Sequence, residues 1–256
     1  MKAGHEGKTL MGAEPAWPPR STPRLFVETP LAAGPLSLDG AQAHYLATVM
    51  RAKPGDAVKL FDDMTGEWLA RVTHAGRRDV ALDVTERLRA REAVPDLWLC
   101  AAPLKKGRVD WLAEKACELG VDRLVPVVTR RTVVDRPNTD RLRMQMIEAA
   151  EQCGRTALPH VADAVKLPQL LREWPEERAL FFADETGGEP AAAAMRGRRG
   201  AAAILIGPEG GFDDDERAAI RACPQAVAIA LGPRILRAET AAAAVAVWMA
   251  AAGDWA

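Results

Sequence analysis

The sequence has few of the residues on which metal and redox proteins depend. Among 256 residues there are four histidines and four cysteines, and only 5% of the residues are aromatic. The histidines show no H-x-x-x-H or similar ligand spacing, which argues against a metal site. The cysteines form no C-x-x-C pair, so we expect reduced, mostly buried thiols in a cytoplasmic protein. They are Cys100, Cys117, Cys153 and Cys223.

Net charge and long apolar runs are lacking as well. Because 34 Lys and Arg face 35 Asp and Glu, the net charge of −1 says nothing about a polyanionic partner, and a prediction of RNA binding must rest on local clusters. No unbroken apolar stretch is long enough to span a membrane, and the alanine-rich segment ETAAAAVAVWMAAAGDW is predicted to be a packed helix. With 48% hydrophobic and 27% charged residues, the composition is typical of a globular protein.

The N-terminal third of the chain divides into two parts. Residues 1–23 contain four prolines and no periodic pattern, so we predict a flexible extension. Residues 24–92 carry short alternating or apolar runs between turn signals, which predicts a small β-rich domain followed by the linker AREAVPD. The strand-like runs are RLFVE, AVKLFD, EWLARVTHAG and DVALDVTERL, and one helical stretch, DGAQAHYLATVMR, lies among them.

Residues 93–256 show a different pattern, in which apolar runs of strand length alternate with helical segments. This alternation predicts an α/β fold with a parallel sheet covered on both faces. The helix RVDWLAEKACELG ends at Gly120, and DRLRMQMIEAAEQCG starts near Asp140 and ends at Gly154. The predicted strands are LWLCAAP, RLVPVVT, RALFFAD, AAAILIG and AVAIALG.

Two of these strands run directly into a Gly-Pro turn, in ILIGPEGGFDDDE at 204–216 and in ALGPRILRAETA at 230–241. Ligands of open parallel sheets bind beyond the carboxyl ends of the strands, and glycine lets the backbone approach a ligand closely. The first turn carries Glu209 and three aspartates instead of the Lys, Ser or Thr of a phosphate cradle, which favours a neutral or cationic ligand. We expect the turns to lie at adjacent strand tips and to converge, although ordinary strand-to-helix connections are the alternative.

The residues after the first turn favour a helix start. Asp213 is followed three residues later by Glu216, which is the spacing of a capping box. We therefore predict a helix over DDDERAAIRA, with Asp213 at its N-terminus.

The two turn motifs together resemble the cofactor loops of the knotted methyltransferases called SPOUT. More narrowly, the chain resembles the bacterial 16S rRNA uracil-N3 methyltransferase family, RsmE, over nearly its whole length from Arg24 to Asp254. Six motifs carry this resemblance in the order of the family: HYLATVMR, KKGRVDWLAEKACELGV, VVTRRTVV, IEAAEQCGRTALP, LIGPEGGF and LGPRILRAETA.

The resemblance implies a fold, a cofactor and an assembly. The fold would be a SPOUT-type parallel sheet with a C-terminal trefoil knot over residues 93–256, preceded by a PUA-like RNA-binding barrel over 24–92. S-adenosylmethionine would bind in the knot, and the protein would be a homodimer. The cofactor residues carried over by motif are Leu205, Gly207, Glu209 and Gly210 on one wall, Leu231, Gly232, Ile235, Leu236 and Arg237 on the other, and Thr240 closing the site.

The implied reaction is methyl transfer to N3 of a specific uridine in 16S rRNA of the small ribosomal subunit. The N3 proton must leave, and a nearby guanidinium lowers the pKa of such an acid. Arg155 is the first candidate for this role and Arg237 the second, unless Arg237 pairs with Glu239. The base stays open between Glu151, Glu209 and solvent.

RNA binding would come from local clusters of basic residues. Residues 24–92 carry ten basic and ten acidic residues, whereas residues 100–160 carry eleven basic and eight acidic. Surface charge without an RNA role is the alternative at each cluster. Two other functions also stay open, a SPOUT methyltransferase for another RNA position and a non-catalytic RNA-binding assembly factor. The candidates for RNA contact are Arg51, Lys53, Arg77, Arg78, Lys105, Lys106, Arg130 and Arg131.

Overall fold

The computed structural model describes residues 22–105, 107–134, 136–252 and 255. Most of the extension predicted for residues 1–23, and also Lys106, lie outside these described residues. The described chain forms two compact units. The smaller contains residues 22–27, 31–61 and 67–89, and the larger contains residues 28–30, 62–66 and those from Ala90 onward.

The smaller unit is built on a five-stranded sheet in the order β1-β3-β4-β5-β2. The predicted helical stretch is confirmed as α1, Gly40–His44, which continues as a π-helical turn over Tyr45–Val49. Strand β2 was not predicted, because GPLSLD begins with Gly-Pro and reads as a turn. The strands are β1 Arg24–Phe26, β2 Gly34–Asp39, β3 Ala57–Asp62, β4 Gly66–Ala75 and β5 Asp79–Arg89.

The larger unit contains an eight-stranded sheet in the order β11-β13-β10-β12-β6-β7-β8, with β9 also on β7. Every pairing within its described strands is parallel, which confirms the predicted sheet type. The strands are β6 Leu97–Ala101, β7 Arg123–Val128, β8 His160–Val161, β9 Val165–Lys166, β10 Ala179–Ala183, β11 Glu189–Pro190, β12 Ala202–Ile206 and β13 Ala226–Ala230.

The helices of the larger unit begin and end largely where the capping residues indicate. Gly154 ends α3 in the left-handed conformation (φ 84°), and its N-cap is Asn138, two residues before the expected Asp140. Asp213 and Glu216 form the predicted capping box of α6. The helices are α2 Arg108–Glu118, α3 Thr139–Cys153, α4 Leu167–Arg172, α5 Ala191–Ala194, α6 Asp214–Ala222, α7 Ala238–Ala241 and α8 Ala244–Ala252.

The alanine-rich C-terminal segment is two helices, so the prediction of one packed helix was wrong. Between α7 and α8 the backbone tightens, since Ala243 donates to the carbonyl of Thr240 (3.0 Å) and Val245 to that of Ala242 (2.9 Å). Such bonds between residues three apart are typical of 3₁₀ turns at helix ends. The segment is nevertheless packed, because Trp248 of α8 is buried.

The four cysteines are free thiols, as expected from their spacing. Cys100 and Cys117 are buried, and burial raises the pKa of the Cys100 thiol to about 12. The described residues contain no cluster of three or more His, Cys, Asp or Glu side chains arranged for a metal ion. Within the same residues, every helix is too short or too polar to cross a membrane.

The carboxyl end of β10 is held by a buried carboxylate, Asp184. Its side chain accepts hydrogen bonds from the Thr186 amide (2.9 Å) and hydroxyl (2.8 Å) and from the guanidinium groups of Arg217 and Arg221. Burial by itself raises the pKa of Asp184, but these bonds and the charge of Arg217 outweigh it, so the pKa lies below its ordinary value. Because both arginines belong to α6, the carboxylate fixes the loop after β10 to that helix.

Replacing Asp184 with Asn is therefore expected to destabilise the protein in a pH-dependent way. The variant leaves two arginines facing a neutral amide, which should cost about 3 kcal/mol of unfolding free energy at pH 7. The native pKa is depressed, so the contribution of Asp184 is present above its ordinary pKa and is lost as pH falls through the native pKa. The difference between wild type and variant in urea-induced unfolding should accordingly shrink below about pH 4.

Glu173→Gln is the matched control, because it also changes a carboxylate to an amide beside an arginine. Glu173 is 61% exposed and lies 3.9 Å from Arg172, so its pairing contributes little. An Asp184→Asn variant as stable as Glu173→Gln at pH 7 would contradict the anchoring role of Asp184.

Candidate functional site

Three strand ends meet at one cavity of the larger unit. Since β10, β12 and β13 are parallel, their carboxyl ends lie at the same edge of the sheet. The loops that follow them line a cavity of about 510 Å³, together with Arg108 from the start of α2 and with Ala238 and Ala241 of α7. This volume is within the range of small-molecule sites.

The two Gly-Pro turns converge on this cavity, although they do not follow adjacent strands. Strand β10 lies between β12 and β13, so the expectation of adjacent strand tips was wrong. The loop after β10 consequently contributes to the wall, with Asp184, Glu185 and Gly187. Sequence reasoning missed these residues because DETGG lacks the Gly-Pro signal, although Gly187 and Gly188 lie shortly after the predicted strand RALFFAD and are typical of a turn.

Eight of the ten residues carried over as cofactor contacts line the cavity, and two do not. Leu205 is fully buried in the core with Phe182 and Phe212, because alternate residues of β12 face opposite sides of the sheet. Thr240 is exposed on α7 and is not part of the lining. The eight are Gly207, Glu209, Gly210, Leu231, Gly232, Ile235, Leu236 and Arg237.

The glycines of the two turns serve different purposes. Gly232 has φ 103°, which side chains rarely adopt, and a Cβ placed there would meet no protein atom within 4 Å. A Cβ on Gly210 would instead lie 3.3 Å from Cδ of Arg131, whose guanidinium donates to the Gly210 carbonyl (2.6 Å). The open space that favours ligand contact is therefore at Gly232, whereas Gly210 leaves room for an arginine.

An arginine that the sequence analysis did not assign to the cofactor or catalytic residues bridges both walls. Arg108 lies 3.1 Å from a carboxylate oxygen of Glu209, after β12, and 3.6 Å from one of Glu239, on α7. The alternative pairing of Arg237 with Glu239 is not formed, since Glu239 pairs with Arg108 instead. Arg237 lines the cavity at the N-terminus of α7. Its catalytic role stays a prediction.

Arg155, the first candidate for the electrostatic role, does not reach the cavity. It is 6% exposed, and its guanidinium donates to the carbonyls of Cys117 and Val121, both at 2.7 Å. A third contact joins it to Glu92 at 3.5 Å. These bonds fix the end of α2 and the chain that follows it, so the geometry supports a structural role and does not support the predicted contact with substrate.

Two of the predicted RNA-binding residues of the larger unit, Arg130 and Arg131, already have protein partners. Arg130 pairs with Asp215 (2.8 Å) and Asp213 (2.9 Å), and the hydrogen bonds that it donates to these carboxylates raise the pKa of Arg130. Arg131 binds the Gly210 carbonyl, while Lys105 is exposed. Lys106 lies outside the described residues. The turn after β7 is thus fastened to the cavity wall.

The predicted RNA-binding residues of the smaller unit are exposed and have no role in its core. They occupy two turns, one before β3 and one between β4 and β5. Their exposure is compatible with phosphate contacts but equally with ordinary surface charge. These residues are Arg51, Lys53, Arg77 and Arg78.

Comparison with protein families identifies both parts of the chain. Residues 91–250 match the RNA methyltransferase domain, and residues 38–85 match the RNA methyltransferase PUA domain. The first match alone covers more than half of the chain. The expected combination of an α/β methyltransferase domain and a PUA-like domain is confirmed.

Individual relatives agree with these family matches. The chain is 30% identical to "Ribosomal RNA small subunit methyltransferase E" of Rickettsia conorii over 202 residues, which is 78% of this chain and 82% of the relative. It is 31% identical to the protein of the same name from Mycobacterium bovis over 216 residues, 80% of this chain and 82% of that protein.

A solved structure extends the likeness to three dimensions. The crystal structure of ribosomal RNA small subunit methyltransferase E from Neisseria gonorrhoeae, bound to S-adenosyl methionine, matches with a TM-score of 0.83 and 26% identity. The match covers 92% of this chain and 100% of that one. Together with the convergent turns, these matches show that the chain belongs to the ribosomal RNA small subunit methyltransferase E family.

Proposed function

We propose that this methyltransferase transfers the methyl group of S-adenosylmethionine to N3 of a uridine in 16S rRNA of the small ribosomal subunit. The observation that carries the proposal is the convergence of both Gly-Pro turns on one cavity, in a chain whose family includes a structure solved with S-adenosyl methionine. The RNA substrate follows from the names of the relatives, and the N3 position from the motif resemblance.

The chemistry of the cavity fits this donor. S-adenosylmethionine carries a sulfonium, an ammonium and a flat adenine, but no phosphate. Glu185 and Glu209 line the cavity with side chains that are 36% and 31% exposed, so each can face a cationic group of the donor in addition to its arginine partner, whereas the lining residue Asp184 is fully occupied by Arg217 and Arg221. Apolar side chains, among them Leu231 and Leu236, are available to the adenine. The eight lining residues would contact the donor, and Leu205 would support the first wall from the core.

The proton on uridine N3 must be lost during the transfer, and Arg237 is the group that we assign to stabilise the resulting charge. Arg237 lines the cavity, and its guanidinium forms no ion pair with any carboxylate that the structure describes. A guanidinium beside a weak acid lowers its pKa by about 1 to 3 units. Of the candidate bases, Glu209 lines the cavity whereas Glu151 does not, so Glu209 or solvent would accept the proton.

Several further features of the family would complete this function. The uridine would be unpaired or flipped out, because N3 lies on the base-pairing edge. The PUA-like domain over residues 24–92 and the basic residues near the cavity would bind rRNA, and the protein would act in the cytoplasm as a homodimer. A trefoil knot over the last part of 93–256 is also part of the proposal, and it rests on the motif resemblance.

The position of methylation is tested by mass spectrometry of 16S rRNA nucleosides. A strain that lacks the gene should lose 3-methyluridine, and the wild-type gene should restore it. Unchanged 3-methyluridine would contradict the proposed position. Loss of a different methylated nucleoside would indicate another RNA target for the same fold, and binding of rRNA without any loss would favour an assembly factor.

The location of the donor is tested by Gly232→Val. The new side chain would enter the open space at the cavity wall and would add backbone strain of about 1–3 kcal/mol. We expect affinity for S-adenosylhomocysteine, measured by calorimetry, to fall about tenfold or more, since each tenfold corresponds to about 1.4 kcal/mol.

Gly200→Val is the matched control for strain. Gly200 has φ 110° and equally open surroundings, but it is not part of the cavity lining. Both variants should lose similar thermal stability, while Gly200→Val keeps its affinity. Equal affinities in the two variants would show that the donor does not lie against Gly232.

Arg155→Ala distinguishes the structural role of this residue from the catalytic one. Loss of the buried guanidinium removes the side-chain donor of the Val121 carbonyl and one of the two donors of the Cys117 carbonyl, which keeps the Gly120 amide, and this should lower the unfolding free energy by about 2 kcal/mol. We expect kcat and cofactor affinity to decline together with stability. A selective fall in kcat, with unchanged melting temperature and unchanged affinity, would instead support a catalytic role for Arg155.

A further inference from the structure

We propose that Arg108 is a positioning residue that holds the two glycine-bearing turns at the separation which the methyl donor requires. The need for such a residue follows from the sheet. Strands β12 and β13 share no hydrogen bonds, because β10 separates them. The backbone hydrogen bonds of the sheet therefore connect the two turns only indirectly, through β10. A direct link between the turns must come from side chains.

Arg108 provides this link. Its Nη1 lies 3.1 Å from Oε1 of Glu209 in the turn after β12, and its Nε lies 3.6 Å from Oε1 of Glu239 on α7, which follows β13. A guanidinium suits this task because its donors point in several fixed directions, so that one side chain can face two carboxylates. Arg108 also lines the cavity that lies between the two turns.

The backbone of Arg108 is itself anchored. Gly107, with φ 89°, precedes the helix, and its amide donates to Oδ2 of Asp110 at 3.2 Å. Arg141, on α3, binds both oxygens of Asp110 at 2.8 and 2.6 Å. The first turn of α2 is thereby tied to α3, so Arg108 extends toward the cavity from a fixed base.

Glu239 depends on Arg108 more than Glu209 does. The side chain of Glu239 is 14% exposed, and its Oε2 is buried without a hydrogen-bond partner among the described residues. Within those residues, Arg108 supplies the one ion pair of Glu239. Removal of Arg108 would leave a largely buried negative charge uncompensated, and such a charge is costly enough to displace the segment that carries it.

The consequence for the reaction rests on the proposed function. Methyl transfer requires the sulfonium, the methyl carbon and N3 to lie in line, and an error of about 1 Å is sufficient to reduce the rate strongly. A shift of α7 would move Arg237, at its N-cap, together with the wall that binds the donor. Arg108 would thus act on both affinity and turnover without contacting the reacting atoms.

The test begins with Arg108→Met, with Arg143→Met as control. Arg143 has nearly the same exposed fraction, 42% against 41%, and is also paired with a carboxylate, but it does not line the cavity. We expect Arg108→Met to bind S-adenosylhomocysteine about tenfold more weakly than wild type, with a lower kcat. Arg143→Met should match wild type in both. Equal affinities of Arg108→Met and wild type would overturn the role of Arg108.

A second variant separates positioning from general destabilisation. If displacement of α7 by the uncompensated charge of Glu239 causes the loss, Arg108→Met/Glu239→Gln should recover much of the affinity that Arg108→Met loses, whereas a folding defect that does not involve Glu239 would persist in the double variant. Arg108→Lys should recover part of it. A double variant no better than the single one would overturn the proposal. Failure of wild type itself to bind S-adenosylhomocysteine would overturn the proposed function and this role with it.

Discussion

The parallel pairing of β10 with both β12 and β13 is the constraint on which the site depends. Phe182 of β10 pairs with Leu205 on one side and with Ala228 on the other, so the three strands end at nearly the same level. Three loops that are far apart in the sequence are thereby brought to one edge. Hydrophobic burial secures this arrangement, because Leu180, Phe182 and Leu205 are almost fully buried.

Arginine–carboxylate contacts hold together the loops and helices that follow the paired strands. Asp184 binds two arginines of α6, Arg108 faces two carboxylates, and Arg130 pairs with the start of α6. The near equality of 34 basic and 35 acidic residues thus reflects, in part, internal pairing around the cavity. For this reason, net charge is a poor guide to whether the protein binds RNA.

Local sequence patterns predicted the elements with strong signals and missed those without them. The five long strands of the larger unit and the helices α2 and α3 were recognisable from apolar periodicity and terminal glycines. Strands β8, β9 and β11 have two residues each, too few for any periodicity, and they exist because neighbouring strands offer them partners. No Gly or Pro lies between α7 and α8, so no local signal predicts that the helix is interrupted there.

The sequence by itself determined the parallel α/β architecture and the two Gly-Pro turns, because glycine, proline and apolar periodicity act through local backbone preferences, and the motif resemblance supplied eight of the residues that line the cavity. Tertiary structure alone decided that Arg155 is buried between carbonyls, that Arg108 bridges Glu209 and Glu239, and that the loop after β10 joins the wall. The local sequence around an arginine does not distinguish a buried structural position from a position at the cavity. Which role it takes depends on partners up to 131 residues away, as Arg108 and Glu239 are, and only the packed fold brings such partners together.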